Sequence, residues 1–141
     1  MSDNKETIRK IEAAWESGAL DDLDQYFAPD FQANSNVPGM PPGLQGAKMA
    51  HGMVTQFLTD RKTEIVDLAG DGDKVYLRVR VRGNNANGVP WIGASANGQP
   101  YDFESWSVYK LRDGKVTEHT GLNDIYTFAI QAGAVQPPVP A

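Results

Sequence analysis

One run of residues limits this chain more than any other: YDFESWSVYKL, from Tyr101 to Leu111. Tyr101, Phe103, Ser105, Ser107, Tyr109 and Leu111 alternate with Asp102, Glu104, Trp106, Val108 and Lys110, the period of two expected of a half-buried strand. The run breaks at Arg112-Asp113-Gly114-Lys115, where Gly114 can take positive φ, and resumes as Val116 to Leu122. Two paired strands joined by a tight hairpin follow from this. Asn123-Asp124 then stands where strand gives way to helix: Ile125, Phe128, Ala129 and Ala132 recur at helical spacing, and Gly133 can close the C-terminus. Asp124 has two readings. As an N-cap its carboxylate bonds the first free backbone N–H groups and favours the helix dipole. As a catalytic carboxylate it stands at the mouth of a cavity between sheet and helices. Spacing leaves both open.

Asp113-Gly114-Lys115-Val116, Glu118-His119, Asp124 and Ile130-Gln131-Ala132-Gly133 follow one another as DG, K/R-I/V-x-E-H, an aspartate and an L-L-Q-x-L-G-like helix do in a known group. Upstream, Phe27-Ala28-Pro29-Asp30-Phe31 and Pro38-Gly39-Met40-Pro41-Pro42-Gly43 match its FAPDF and PG-x-PPG segments. From the first helix to Gly133 the chain thus resembles the SnoaL-like polyketide cyclases of the NTF2-like superfamily. The resemblance implies an α+β cone, in which a curved mixed β-sheet wraps around N-terminal helices and leaves a central pocket.

The upstream residues suit that opening. Asp3 and Glu6 form a capping-box-like start to a helix over 3–17, with Ile8, Ile11 and Trp15 on one face until Gly18 ends it. A second short helix, Ala19 to Phe27, groups Leu20, Leu23 and Phe27 and stops before Pro29. Trp15 and Tyr26 are either core aromatics or lining of the pocket that the fold implies. A short strand is expected from Phe31 to Asn36, then a rigid connection from Pro38 to Gly43, then a helix over about Leu44 to Leu58. Ala47, Ala50, Val54, Phe57 and Leu58 make the helix's apolar stripe, and His51 falls inside it. A histidine there is a satisfied core residue or a pocket residue.

Arg61 to Leu68 and Lys74 to Arg82 read as two further strands joined at Gly70-Asp71-Gly72-Asp73. Val75, Leu77, Val79 and Val81 share the core face. Arg78, Arg80 and Arg82 share the other, as a solvated or dimer-facing row paired to acidic neighbours. Gly83 to Gly98, GNNANGVPWIGASANG, shows no clean period, and a connection of that length in a small domain is usually functional or mobile. It reads as a lid or pocket-entrance loop anchored by Trp91, or as a dimer contact. The chain is expected to be one domain over 1–133, followed by a Pro-rich tail, AVQPPVPA, over 134–141.

Bulk properties remove several functions. A net charge of −5 disfavours nucleic acid and anionic membrane surfaces, and no run of about 18 apolar residues or N-terminal apolar leader exists, so no membrane role is expected. Zero cysteines exclude thiolate chemistry and make the cytoplasm the default compartment. No G-x-x-x-x-G-K-S/T loop, G-x-S-x-G elbow or H-E-x-x-H helix is present, and two histidines make a His-rich metal site improbable. Acid/base chemistry in an apolar pocket, with no cofactor and no metal, is what remains. Desolvation makes a carboxylate there a stronger base.

The resemblance implies an intramolecular aldol cyclisation of a polyketide-like ester, with Asp124 taking a proton from a carbon flanked by carbonyls. His119, at the group's E-H histidine, would hold substrate oxygens or orient the carboxylate; otherwise it is a partly exposed strand residue. Ala33-Asn34 stands where many members carry Asp-His, Ser107 where they carry His or Asp, and Thr120 where they carry Trp. Such amide and hydroxyl groups hold carbonyls but abstract nothing at neutral pH. A ketosteroid-isomerase-like reaction lacks its base at Ala33, Asn34 and Ser35, and a limonene-epoxide-hydrolase-like one lacks its Arg at Pro100-Tyr101-Asp102.

Two functions are therefore expected from different classes. One is a cofactor-independent cyclase or isomerase acting on a small apolar or polyketide-like carbonyl compound. Asp124 and His119 would be its catalytic pair, with Asn34, His51, Tyr101, Ser107, Trp91, Trp15 and Tyr26 holding the substrate. The other is a binding module that uses the same pocket or the outer sheet face. A homodimer packed through that outer face, at Trp106 and the arginine strand, is also expected.

Overall fold

The computed structural model describes residues 3–34 and 39–139. Its helices are α1 (Asn4–Ser17), α2 (Gly43–Phe57) and α3 (Ile125–Gln131), and its strands are β1 (Phe27–Ala33), β2 (Thr59–Asp71), β3 (Lys74–Asn84), β4 (Pro100–Arg112) and β5 (Lys115–Asn123). The strands form one curved sheet in the order β1-β5-β4-β3-β2, antiparallel throughout except for β1 against β5. This is the α+β cone that the resemblance implied. No helix among the described residues is long and apolar enough to cross a membrane.

Local chemistry accounts for each boundary. Asp3 accepts from the backbone N–H groups of Lys5 and Glu6, and Gly18 closes α1 at φ +79°. Asp113 and Gly114 both take positive φ, 53° and 77°, the geometry that matches a two-residue turn to the twist of β4 and β5. Asp124 caps α3. Gln131 of α3 then does what a sixth strand would do for the start of β4: its side chain accepts from the Asp102 N–H at 2.7 Å and donates to the Asp102 carbonyl at 2.9 Å.

The entry to the sheet departs from the sequence reading. Where a helix over 19–27 was expected, a 3-10 helix, Leu20–Gln25, is followed at once by β1. Val116 N–H donates to the Tyr26 carbonyl at 2.8 Å, and parallel pairing on β5 begins at Phe27. Pro29 is tolerated because β1 lies at the sheet edge, and the register is irregular between Phe27 and Gln32. The far end of the strand expected over 31–36, and Pro38, lie outside the described residues.

Strand parity sets the two faces of the sheet. Val75, Leu77, Val79 and Val81 of β3 and Tyr101, Phe103, Tyr109 and Leu111 of β4 are buried against Ile8 and Ile11 of α1, Leu23, and Phe128 of α3. Outside, Arg78 pairs with Glu104, Arg80 with Asp102, and Arg82 with Glu64. The alternating arginines are thus the charged row that the sequence suggested. The 83–98 segment is stapled rather than loose. Asn85, fully buried, receives the N–H groups of Asn97 and Gly98 on its carbonyl and donates its side-chain amide to Ser95 and Ala132 carbonyls.

Gly46 lets α2 pack under the Pro41-Pro42 connection. A Cβ there would stand 1.7 Å from the Pro41 carbonyl oxygen, whereas one on exposed Gly52, two turns on, would meet nothing within 4 Å. Gly46→Ala is therefore expected to lower unfolding free energy by roughly 1–3 kcal/mol through overpacking. Gly52→Ala should raise it by up to about 1 kcal/mol through helix propensity. Urea unfolding of the two variants checks the opposite signs.

Candidate functional site

Between the concave face of the sheet and helices α1 and α2 lies a cavity of about 280 Å³. Trp15, Phe27, Phe31, Met40, Leu77 and Val79 make much of its wall apolar, and into this wall project Glu12, His51, Arg61, Ser105, Ser107, Tyr109 and His119. β4 and β5 supply four of these by register. Tyr109 is the cross-strand partner of His119, so their rings lie 4.5 Å apart between centroids, and Ser107 sits two residues back on the same face. α1 supplies Glu12, whose Oε1 accepts the Tyr109 hydroxyl proton at 3.1 Å. α2 supplies His51, tilted against Trp15 at 4.8 Å.

Burial dominates the electrostatics. It pushes the Glu12 carboxyl up, against the opposing pull of the Tyr109 hydroxyl and the Arg61 charge. Tyr109 is pushed well above the ordinary phenol range by burial and by Glu12 beside it. Burial brings His119 down to about 4, and His51 is lowered by burial and then by Arg61. At neutral pH the His119 imidazole is therefore uncharged, with one ring nitrogen to donate and one to accept. Glu12 is the one carboxylate lining the cavity among the described residues.

Four residues proposed from the sequence meet in this wall: His119, His51, Ser107 and Trp15. Five do not. Asp124 is exposed on the other side of the sheet, accepting the Thr127 N–H at 3.1 Å and the Thr127 hydroxyl at 2.6 Å, which hold its carboxyl below the usual range. It caps the helix, as in the plainer of the two readings. Tyr101 is buried outside the cavity wall, against Phe103 and Phe128. Trp91 stands edge-on to Phe57 at the end of α2, outside the cavity wall, with 42% of its surface exposed. Asn34, exposed, turns its amide to the Thr120 hydroxyl at 3.0 Å. Tyr26 ends the 3-10 helix and packs against the core.

Glu12, Tyr109 and Arg61 were not singled out from the sequence. A signal existed for Glu12: it falls four after Ile8 and three before Trp15, inside the apolar stripe of α1, as His51 does in α2. Arg61 shares parity with Thr63 and half-buried Ile65 on β2.

Comparison with known proteins adds kinship. The family model described as SnoaL-like polyketide cyclase matches residues 5–132. No curated protein matches the sequence. Among solved structures, wild-type IdmH from Streptomyces antibioticus, a candidate polyketide cyclase, is 25% identical at a TM-score of 0.82, covering 94% of this chain and 99% of its own. A candidate polyketide cyclase from Bacillus cereus ATCC 10987 is 26% identical at a TM-score of 0.76, over 92% of this chain and 79% of its own. AclR from Streptomyces galilaeus, a candidate hydroxylase, is 21% identical at a TM-score of 0.77, over 97% and 84%. At that identity AclR shows likeness of fold alone.

His119 makes the site's protonation measurable. Its pKa falls from 6.5 to about 4 on folding, so between those values the unfolded chain binds a proton that the folded chain does not. Stability must therefore drop as pH falls through this window, by on the order of 2–3 kcal/mol for a ring open only to a cavity. Urea unfolding at pH 7 and pH 4.5 should show His119→Gln losing that much less than wild type. Equal losses in the two chains would contradict the assignment.

Proposed function

Because the chain belongs to the SnoaL-like polyketide cyclase family, we propose that it is a cofactor-independent cyclase or isomerase working by acid/base catalysis on a small apolar carbonyl compound. The reaction we read is an intramolecular aldol closure of a polyketide-like chain. One observation carries this reading: a carboxyl, Glu12, set by burial toward higher proton affinity in an apolar cavity and touched by the phenol of Tyr109.

In this reading Glu12 replaces Asp124 as the base. The Glu12 carboxylate takes a proton from a carbon between two carbonyls, and the C–H electron pair becomes an enolate. The enolate carbon attacks a second carbonyl of the same molecule, so a C–C bond forms and that carbonyl oxygen becomes an alkoxide. The proton returns from Glu12 to the alkoxide, which restores the starting carboxylate. Tyr109 is a donor to the developing negative charge on Glu12 or on substrate, and it stays protonated because its own acidity is suppressed. Neutral His119, against the Tyr109 ring, and Ser107 hold carbonyl oxygens by donation.

A second reading has one observation in its favour. Asp124 is bonded to its own helix, outside the cavity, as a module that holds its ligand without transforming it would allow. We further propose a homodimer joined through the outer sheet face, where Trp106 is 59% and Leu122 77% exposed.

Exchange of the α-protons of 2-tetralone in D2O, followed by NMR, separates the two readings. Wild type should exceed the buffer rate, and Glu12→Gln should lose roughly 10²- to 10⁴-fold of the enzymic rate. Unchanged exchange in Glu12→Gln, or a wild type no faster than buffer, sinks the catalytic assignment. Sedimentation at micromolar concentration should give a dimer, and Trp106→Asp should give a monomer; a monomeric wild type refutes the proposed interface.

A further inference from the structure

Six arginines occur in the sequence, and five of them hold a carboxylate: Arg9 with Glu6, Arg78 with Glu104, Arg80 with Asp102, Arg82 with Glu64 and Arg112 with Asp30. Arg61 is the exception, and it is the arginine that lines the cavity. Its Nε is sealed from solvent with no hydrogen-bond acceptor, and it makes no ion pair or hydrogen bond among the described residues. An Nε left this way forgoes a bond that a surface position would supply from water. Strand β2 alternates Thr59, Arg61, Thr63 and Ile65 inward, and Thr63 beside it is satisfied, donating its hydroxyl at 2.6 Å and its N–H at 3.0 Å to Glu16.

Neutralisation by protein does not explain Arg61. Glu12, the carboxyl on the facing helix, is beyond ion-pair distance and accepts from Tyr109 instead, and Glu16 is taken by Thr63. Both cavity histidines are held toward their uncharged forms by burial. The cavity therefore carries a cation whose fork of donors is matched by no acceptor of the protein.

We propose that Arg61 is the anchor for a carboxylate on the substrate, so that the compound taken into the cavity is an apolar carbonyl acid rather than a neutral ketone or ester. A guanidinium presents parallel N–H groups that a carboxylate accepts in pairs, and in a low-dielectric wall such a bond is about twice as strong as a neutral one. The anchor also couples to chemistry. Arg61 draws the Glu12 proton affinity down, and a carboxylate seated on Arg61 cancels that pull, which makes Glu12 the better base once substrate is in place. The inference rests on the reading of this cavity as the substrate site, but its test reads binding alone.

Titration calorimetry with two flat two-ring probes, 2-naphthoate and its uncharged counterpart 2-acetylnaphthalene, decides it. The wild-type chain should hold the carboxylate roughly tenfold or more tightly than the ketone. Arg61→Leu should lose the preference and bind both alike. If Arg61→Leu does not fold by circular dichroism, Arg61→Gln answers to the same criterion. A wild type that binds 2-naphthoate no better than the ketone overturns the proposal, and so does a folded variant that keeps the preference. Uncharged 2-tetralone is the substrate of the exchange assay, so loss of the Arg61 preference leaves that result standing. Failure of Glu12→Gln to slow exchange likewise leaves the anchor standing.

Discussion

The sheet wall of the cavity depends on the unbroken pairing of β3 with β4, from Lys74 opposite Lys110 to Asn84 opposite Pro100. Side chains alternate across a sheet, so a slip of one residue would send Leu77, Val79, Ser105 and Ser107 to solvent and bring Arg78, Arg80, Asp102 and Glu104 into the core. Two forces forbid that slip. The apolar face buries Val75, Val81, Phe103 and Leu111, and each such side chain contributes about 1.5–3 kcal/mol relative to exposure. The opposite face adds ion pairs, Arg78–Glu104 and Arg80–Asp102, whose members are a third or more exposed and so worth little singly. Their larger effect is against misregistration, since a slipped register would bury unpaired charge.

Parity also explains what could be read from the chain alone. A period of two announces β4, a glycine free to take positive φ announces its hairpin, and a helical stripe ended by glycine announces α1; these are local properties written in adjacent residues. Those elements were legible for that reason, whereas their assembly into a cone was implied by the family resemblance. β1 was harder because its partner, β5, is almost ninety residues away in sequence and pairs in parallel, so neither turn nor spacing marks where it starts. Pro29 argues for a break only until the strand is known to lie at an edge.

The site was legible in part, for a reason that Asp124 and Glu12 bring out together. A carboxylate before an apolar helix has the same sequence signature whether it caps or catalyses, and only the third dimension says which side of the sheet it is on. Asp124 proves to be tied by Thr127, whose hydroxyl and N–H both favour its charged form. Glu12 shows the reverse balance, burial outweighing a single phenolic bond. Its trace in the sequence is an acid within an apolar stripe, which a helix wheel displays and a motif search passes over. His51 was found by that sign, and Glu12 stands under the same one.

The polar groups in the cavity also answer a question of stability. A sealed and dry void of about 280 Å³ would cost on the order of 7 kcal/mol at roughly 24 cal/mol per Å³, comparable with the whole unfolding free energy of a domain this size. Larger side chains could have filled it. Instead the wall offers Glu12, His51, Arg61, Ser105, Ser107 and His119, which give water enough partners to occupy the space, and the cost falls to that of holding polar groups short of full hydration. A wet cavity of this kind is stable only while its polar lining stays, so truncating the lining to apolar residues would dry the hollow without closing it. The groups that make the cavity tolerable are therefore the same ones available to bind and to move protons. A chain under pressure for stability alone would have replaced both the hollow and its lining with a packed core.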